Sequence, residues 1–283
     1  MRKIAGTAKM KKNRLAPEII ILTIVSIITA IPLYYVLINA FKKPEFIQLE
    51  PYFMRPEQFT FNNIARAFTA MKYPEAFLNN LLLLVISSIV MILIGSMAGF
   101  AIAIVKSKLL NMYYVISVLV ITVPFQIVMV PLIMIMKKTF LINNYIGVSL
   151  VYVAVSLPMV IFLYTGFMRS LPKELSEAAI VDGCNLMKSY FYVYMPLMKT
   201  VTGTVLIIKG TFIWNDFLIP LITISKSSMT PLTLRLYGFA SVRYNSWDLI
   251  FGGTLLCSVP VVILFLSLQK YFIKGVVAGA VKG

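Results

Sequence analysis

The sequence predicts an all-α integral membrane protein built from six transmembrane helices. Three observations lead there. The chain is 60% hydrophobic and only 13% charged, against roughly 45–50% and about 25% in soluble domains. Six apolar segments each reach the ~20 residues that a spanning helix needs. The lysines and arginines gather in the connectors between those segments. A net charge of +16 would suggest a nucleic-acid surface in a soluble chain. Distributed this way it instead sets membrane topology, so nucleic acid is excluded as a partner and lipid is implied.

The expected spans run from about Pro17 to Ala40, Ala76 to Val105, Met112 to Met136, Tyr145 to Met168, Val201 to Ile224 and Trp247 to Phe272. The second is long enough to tilt or extend past the bilayer. The first follows Arg2, Lys3, Lys9, Lys11, Lys12 and Arg14. It is too long for a signal-peptide core and has no clear small-residue cleavage site, so it reads as an uncleaved helix. Those six basic residues share one side with Lys106, Lys108, Arg169, Lys173, Lys188, Lys199, Lys270, Lys274 and Lys282. The opposite side carries fewer. The richer side is cytoplasmic, which places both termini inside.

Several chemistries are poorly served. The chain has no His, which removes the usual general base and the commonest metal ligand. Cys184 and Cys257 have no C-x-x-C spacing, so neither a disulfide nor a metal site is indicated. No G-x-x-x-x-G-K-[ST] loop occurs, so the chain does not bind ATP in that way. No catalytic residues, no cofactor in this chain and no enzymatic role are therefore expected.

Two connectors are long: about Phe41 to Glu75 outside, and about 169–200 inside. The inner one reads Leu171-Pro172-Lys173-Glu174-Leu175-Ser176-Glu177-Ala178-Ala179-Ile180-Val181-Asp182-Gly183. Pro172 can open a helix and Ser176 can cap one. Ala178 and Ala179 favour helix, and Gly183 is a natural stop. Pro196 breaks a second short helix. Local physics thus predicts helix, turn, helix: a rigid knob with small side chains where a partner approaches.

This stretch resembles the cytoplasmic coupling motif of ABC importer permeases. That motif is E-A-A, three residues, G, nine residues, then I-x-L-P. The chain has Glu177-Ala178-Ala179, Gly183 and Val193-Tyr194-Met195-Pro196 at matching spacing, with Asp182 before the glycine. Val193 and Met195 depart conservatively from Ile and Leu. Trp214-Asn215-Asp216-Phe217, with Pro220-Leu221, and the C-terminal Gln269-Lys270-Tyr271-Phe272 … Ala278-Gly279-Ala280 resemble the maltose-type second permease subunit. The resemblance implies a type I ABC importer permease fold, a single transmembrane domain over 1–283. Its coupling loop spans about 169–200 and its C-terminal tail about 273–283. It implies a permease for a sugar or oligosaccharide in a prokaryotic inner membrane, forming half of a translocation pathway with a second permease. Two separate ATPase subunits would bind ATP and Mg, and an extracytoplasmic binding protein would deliver substrate. Glu177, Ala178, Ala179, Asp182, Gly183 and Pro196 would couple to the ATPase, with Ala178 and Ala179 facing its groove. Lys274, Gly275 and Gly279 would carry the tail into the ATPase dimer.

Polar residues within spans are costly and mark candidate sites. Asn79 and Asn80 open the second span, Gln126 lies beside Pro124 in the third, Ser156 and Pro158 interrupt the fourth, and Lys209, Asn215 and Asp216 lie in the fifth. One reading makes Asn80, Gln126, Asn215 and Asp216 a sugar path, with Trp214, Phe217 and Tyr164 offering aromatic faces. The other makes them helix–helix glue, with Asp216 and Lys209 balancing one another seven residues apart. Gly95 and Gly99 form a G-x-x-x-G that suits close helix packing. Two competing classes are poorly served: an ion-coupled secondary transporter would use more membrane-embedded acids, and only Asp216 qualifies clearly, while an intramembrane enzyme would need a nucleophile–base pair, and none is apparent.

Overall fold

The computed structural model describes the backbone of residues 2–240 and 246–280 and the side chains of residues 17–240 and 246–269. Among these residues the architecture is helical, and the one β-like feature is an isolated bridge between Lys42 and Phe59. The helices are α1 (Arg2–Ala40), α2 (Asn62–Ala70), α3 (Tyr73–Ile104), α4 (Lys108–Val120), α5 (Phe125–Lys138), α6 (Tyr145–Ser170), α7 (Glu174–Val181), α8 (Leu186–Leu197), α9 (Lys199–Asn215), α10 (Leu218–Thr223), α11 (Leu232–Tyr237) and α12 (Trp247–Ala280). Four stretches are each long and apolar enough to cross a membrane as a single helix: Pro17–Ala40, Tyr73–Ile104, Tyr145–Ser170 and Trp247–Gln269. Two bent pairs, α4 with α5 and α8 with α9, qualify when each is taken as one span, which gives six.

The expected third span is the clearest departure. It is two helices bent by 105°. Pro124 explains the break: it lacks an N–H and disfavours helical geometry at Val123. Pro158 has no such effect, and α6 runs unbroken from Tyr145 to Ser170. There the helix is held from its flank by α3. A methyl on Gly95 would lie 2.5 Å from Val160 Cγ1, and one on Gly99 would lie 2.6 Å from Tyr164 Cβ. Only glycine permits that approach, so the G-x-x-x-G is indeed a packing seam. The expected fifth span also divides, with α9 ending at Asn215 and α10 starting at Leu218.

The chain divides into two compact units. The first comprises Met1–Ala70 with Phe239–Leu256. Its long loop after α1 is folded. Asn63 Nδ2 donates to Lys42 O at 2.7 Å, Gln58 Nε2 donates to Glu50 Oε2 at 2.8 Å, and the buried Lys42 ammonium donates to Glu50 O. Phe41, Phe59 and Phe61 form an aromatic trio. Arg66 pairs with Asp248 at 2.6 Å. The second unit comprises Met71–Gly238 with Cys257–Gly283. Its core includes Leu83, Met91, Phe100, Val160, Tyr190 and Tyr194.

Candidate functional site

The 169–200 connector folds as the predicted helix, turn, helix, with informative differences. Pro172 precedes α7, but Ser176 lies within its first turn and Lys173 is the residue at its cap. Glu174 and Glu177 sit in that first turn, where carboxylates favour the positive end of the helix dipole. Glu177 is exposed, and no ion pair involves it among the described residues. At the other end Gly183 has φ 72°. Gly183 N–H donates to Ile180 O at 3.0 Å, and Cys184 N–H donates to Ala179 O at 2.9 Å. These two bonds form a Schellman cap, which wants a left-handed residue at the glycine position. Asp182 is the exposed C-cap just before it.

Two expectations about alanine divide. Ala178 is exposed, as a groove contact requires. Ala179 is 4% exposed and buried within its own chain, so it cannot present its methyl to a partner. The helix α7 itself packs on the stretch Ser189–Tyr194. The side chains that do project are apolar: Ile180 is 70% exposed and Val181 86%, with Leu186, Met187 and Tyr192 also exposed. Reading the E-A-A pattern alone missed this crown. The cue was present, because isoleucine, valine, leucine and methionine in a connector that is otherwise charged have no obvious core to join.

The knob is tied firmly to the bundle. Asn185 Oδ1 accepts from Lys188 N–H at 2.8 Å and starts α8. Within α8, Ser189–Tyr194 winds as a π-helix. A widened turn accommodates Pro196, whose ring would otherwise clash with the carbonyl four residues back. The helix continues to Leu197, and the chain then bends by 71° into α9. Tyr190 OH and Ser96 Oγ share a hydrogen bond at 2.7 Å, and Phe100 stacks obliquely against Tyr190 and Tyr194. Tyr164 OH and Thr202 Oγ1 are 2.8 Å apart. Tyr164 is fully buried, so it offers no aromatic face to a substrate.

The expected substrate residues also separate. Asn80 is buried, donating to Trp214 O at 3.0 Å and accepting from Leu232 N–H at 2.8 Å. Asn79 donates to Ser228 O at 2.8 Å and accepts from Tyr145 OH at 2.6 Å. Trp214 is buried, with Nε1 donating to Cys257 O at 3.1 Å and its ring against Phe77. Asn80 and Trp214 therefore hold helices together, as the helix–helix glue of the second reading. Gln126 is exposed in the first turn of α5, beside the Pro124 break. Asn215, Asp216 and Phe217 line an open hollow at the α9–α10 break, with Phe212 and Leu218. Asp216 accepts from Tyr152 OH at 3.0 Å and caps α10 through Leu218 N–H at 3.3 Å and Ile219 N–H at 3.0 Å. Lys209 lies in a π-helical turn, Leu206–Gly210, with its ammonium 5.5 Å from the centre of the Phe212 ring. A π turn and the break before α10 lie between Lys209 and Asp216, and the two form no ion pair among the described residues. Lys274, Gly275 and Gly279 belong to the backbone of α12; their side chains lie outside the described residues.

Residues 91–277 match the family described as "Binding-protein-dependent transport system inner membrane component". The chain belongs to this family of membrane transport components. It is 33% identical to the melibiose/raffinose/stachyose import permease MelC of Bacillus subtilis (strain 168) over 229 residues, covering 81% of this chain and 83% of that protein. It is 33% identical over 267 residues to the multiple sugar-binding transport system permease MsmG of Streptococcus mutans, covering 93% and 95% respectively. Its fold matches a chain of a bacterial ABC transporter that imports the acidic polysaccharide alginate, with a TM-score of 0.79, 16% identity, and coverage of 92% of this chain and 97% of that one. The permease is thus a transport component with the type I importer fold and multiple spans. Among the described residues no group of three or more Cys, Asp or Glu is placed to hold a metal ion.

Proposed function

We propose that this permease is the second-subunit-like half of a translocation pathway for a sugar or oligosaccharide, working by alternating access with a homologous permease. The observation that carries the reading is the knob. It is a helix fixed at its end by a left-handed glycine, bearing an exposed apolar crown at the spacing where importer permeases meet their ATPases. Two separate ATPase subunits bind ATP and Mg, and their closure on nucleotide moves the knob. Ala178, Ile180 and Val181 make the contact; Glu177 meets a basic group on the ATPase. Ala179, Asp182, Gly183 and Pro196 hold the contact's shape. An extracytoplasmic binding protein supplies the substrate. The names of the relatives, together with the hollow lined by Asn215, Asp216 and Phe217, support a sugar-sized cargo.

The orientation follows from the lysine and arginine asymmetry. Both termini and the 169–200 connector are cytoplasmic, and the loop from about Phe41 to Glu75 is outside, in one transmembrane domain over 1–283. Gln58 is buried, so a labelling test belongs at the exposed Glu57. Glu57→Cys should react with an impermeant thiol reagent on intact cells, and reaction only after permeabilisation would overturn the orientation. The tail at about 273–283 reaches into the ATPase dimer through Lys274, Gly275 and Gly279. Its deletion should uncouple ATP turnover from uptake.

The central test is reconstitution with the partner permease, both ATPase subunits and the binding protein, scored against an oligosaccharide panel. Substrate-loaded binding protein should stimulate ATP turnover and uptake together. Uptake by this chain in vesicles without any ATPase would refute the reading.

A further inference from the structure

A second concave site lies at the opposite end of the α3–α6 seam from the loop held by Asn79 and Asn80. Its lining includes Lys106, Ser107, Lys108, Asn111 and Arg169, around an open hollow of about 380 Å³. No Asp or Glu is among the lining residues. Three cations therefore converge without an internal counter-charge, which is an electrostatic cost unless an anion joins them. Lys106 and Lys108 are exposed and form no ion pair among the described residues.

Arg169 is held in place. Its Nη2 donates to Asn111 Oδ1 at 3.1 Å, and its guanidinium lies 4.8 Å from the centre of the Tyr114 ring. Stacking plus one hydrogen bond fixes the planar fork and leaves its other N–H donors for a ligand. That suits a tetrahedral oxyanion better than a lone flexible lysine does. Ser107 begins α4, its Oγ accepting from Leu110 N–H at 3.5 Å. The first-turn amides of Lys108 and Leu109 have no intrahelical acceptor and add positive potential to the same hollow.

The apolar surroundings indicate the rest of the ligand. Leu109, Met112, Val115, Ile116 and Leu119 are all exposed along α4, so an apolar helix face leads away from the basic hollow. We propose that this hollow binds a phosphodiester, and that its source is the headgroup of an anionic phospholipid whose acyl chains lie along α4. Basic pockets at the cytoplasmic ends of spanning helices suit such headgroups. The inference rests on the orientation proposed above.

The test uses the assembled transporter in nanodiscs of phosphatidylcholine containing a minority of phosphatidylglycerol. Native mass spectrometry reads the lipid retained. The wild type should retain phosphatidylglycerol preferentially. Lys106→Gln with Lys108→Gln should lower that preference by roughly 25-fold at low salt, about fivefold for each charge removed. Neither side chain is buried, so the fold should survive. Arg169→Lys keeps the charge and loses the fork, and should lower retention by less. Lys137→Gln with Lys138→Gln, outside the hollow, should change nothing. Inorganic phosphate is the second arm. If it leaves the retained lipid in place, the headgroup is the ligand; if it displaces the lipid at millimolar concentration, the phospholipid assignment is overturned. Equal retention by wild type and the Lys106→Gln, Lys108→Gln variant overturns the site altogether. Lys106→Cys reacting with an impermeant reagent from outside cells would overturn the orientation alone, separately from the retention result.

Discussion

The knob around Ile180 and the break around Trp214 invert one another. At the knob, apolar side chains are exposed while the helix that bears them is closed by its Schellman cap. At the break, the polar groups of Asn80 and Trp214 are buried and already paired with carbonyls and an N–H of their own chain. Both regions carry the residues that a sequence reader would mark. Ile180 and Val181 are left with unmet contact potential while Asn80 and Trp214 are not, and that potential points to a partner. A polar atom whose partners are all internal explains its own presence; an exposed isoleucine beside an exposed valine does not.

The largest effect expected from this contrast is at the crown. Ile180→Asp with Val181→Asp should weaken ATPase capture by about 100-fold, as loss of a central interface anchor does, while membrane insertion is unchanged. Co-purification with the ATPase subunits measures it, and undiminished capture would dissolve the distinction between the two regions. At the break the damage should be to stability instead. Trp214→Ala should cost about 3–5 kcal/mol, and Asn80→Ala about 1–3 kcal/mol by leaving Leu232 N–H unmet. Thermal unfolding of the detergent-solubilised permease reads both. A variant that keeps its stability but binds substrate poorly would return these residues to the pathway.

The contrast sharpens within the knob. Ala179→Leu should overpack a buried position by about 1–3 kcal/mol and loosen α7 even without a partner. Ala178→Leu should disturb only the docked state. Comparing proteolysis of the free permease with substrate-stimulated ATP turnover separates the two. Gly183→Val should cost about 1–3 kcal/mol, because a β-branched residue resists the left-handed region. No atom lies within 4 Å of a methyl added there, so the cost within this chain is conformational. Gly183→Asn should therefore recover most of the coupling, and Lys188→Gln should behave as wild type.

The smallest effect belongs to Lys42. Burial lowers its ammonium below the usual 10.5, with Glu50 opposing the shift. The unfolded chain then holds that proton more tightly, so stability rises with pH between the folded value and 10.5. The thermal midpoint should climb over that window in the wild type and less in Lys42→Gln.

Span count, the glycine seam and the helix–turn–helix of the 169–200 connector were legible because each follows from local composition or from the geometry of particular glycines. The bends were less legible. Pro124 and Pro158 look alike in sequence, yet one breaks a helix and the other does not. The difference lies in tertiary support, since α6 is clasped along its length by α3. Ala179 was misplaced for a similar reason: E-A-A spacing does not state which alanine faces inward. For Asn80 and Trp214 the sequence left two readings open, because an intramembrane polar group advertises a need without naming who meets it.

The 71° bend after Leu197 has a mechanical meaning. With α8 and α9 joined at an angle, the pair is a bell-crank whose pivot is Met198. One arm, Leu186–Leu197, ends at the knob; the other, Lys199–Asn215, ends beside Asp216. At roughly 1.5 Å per residue the arms measure about 18 Å and about 25 Å. Under the proposed function, work delivered sideways at the knob would emerge as a swing beside Asp216, with modest gain in travel and matching loss of force. Stiffening the pivot would leave both ends intact and disconnect them.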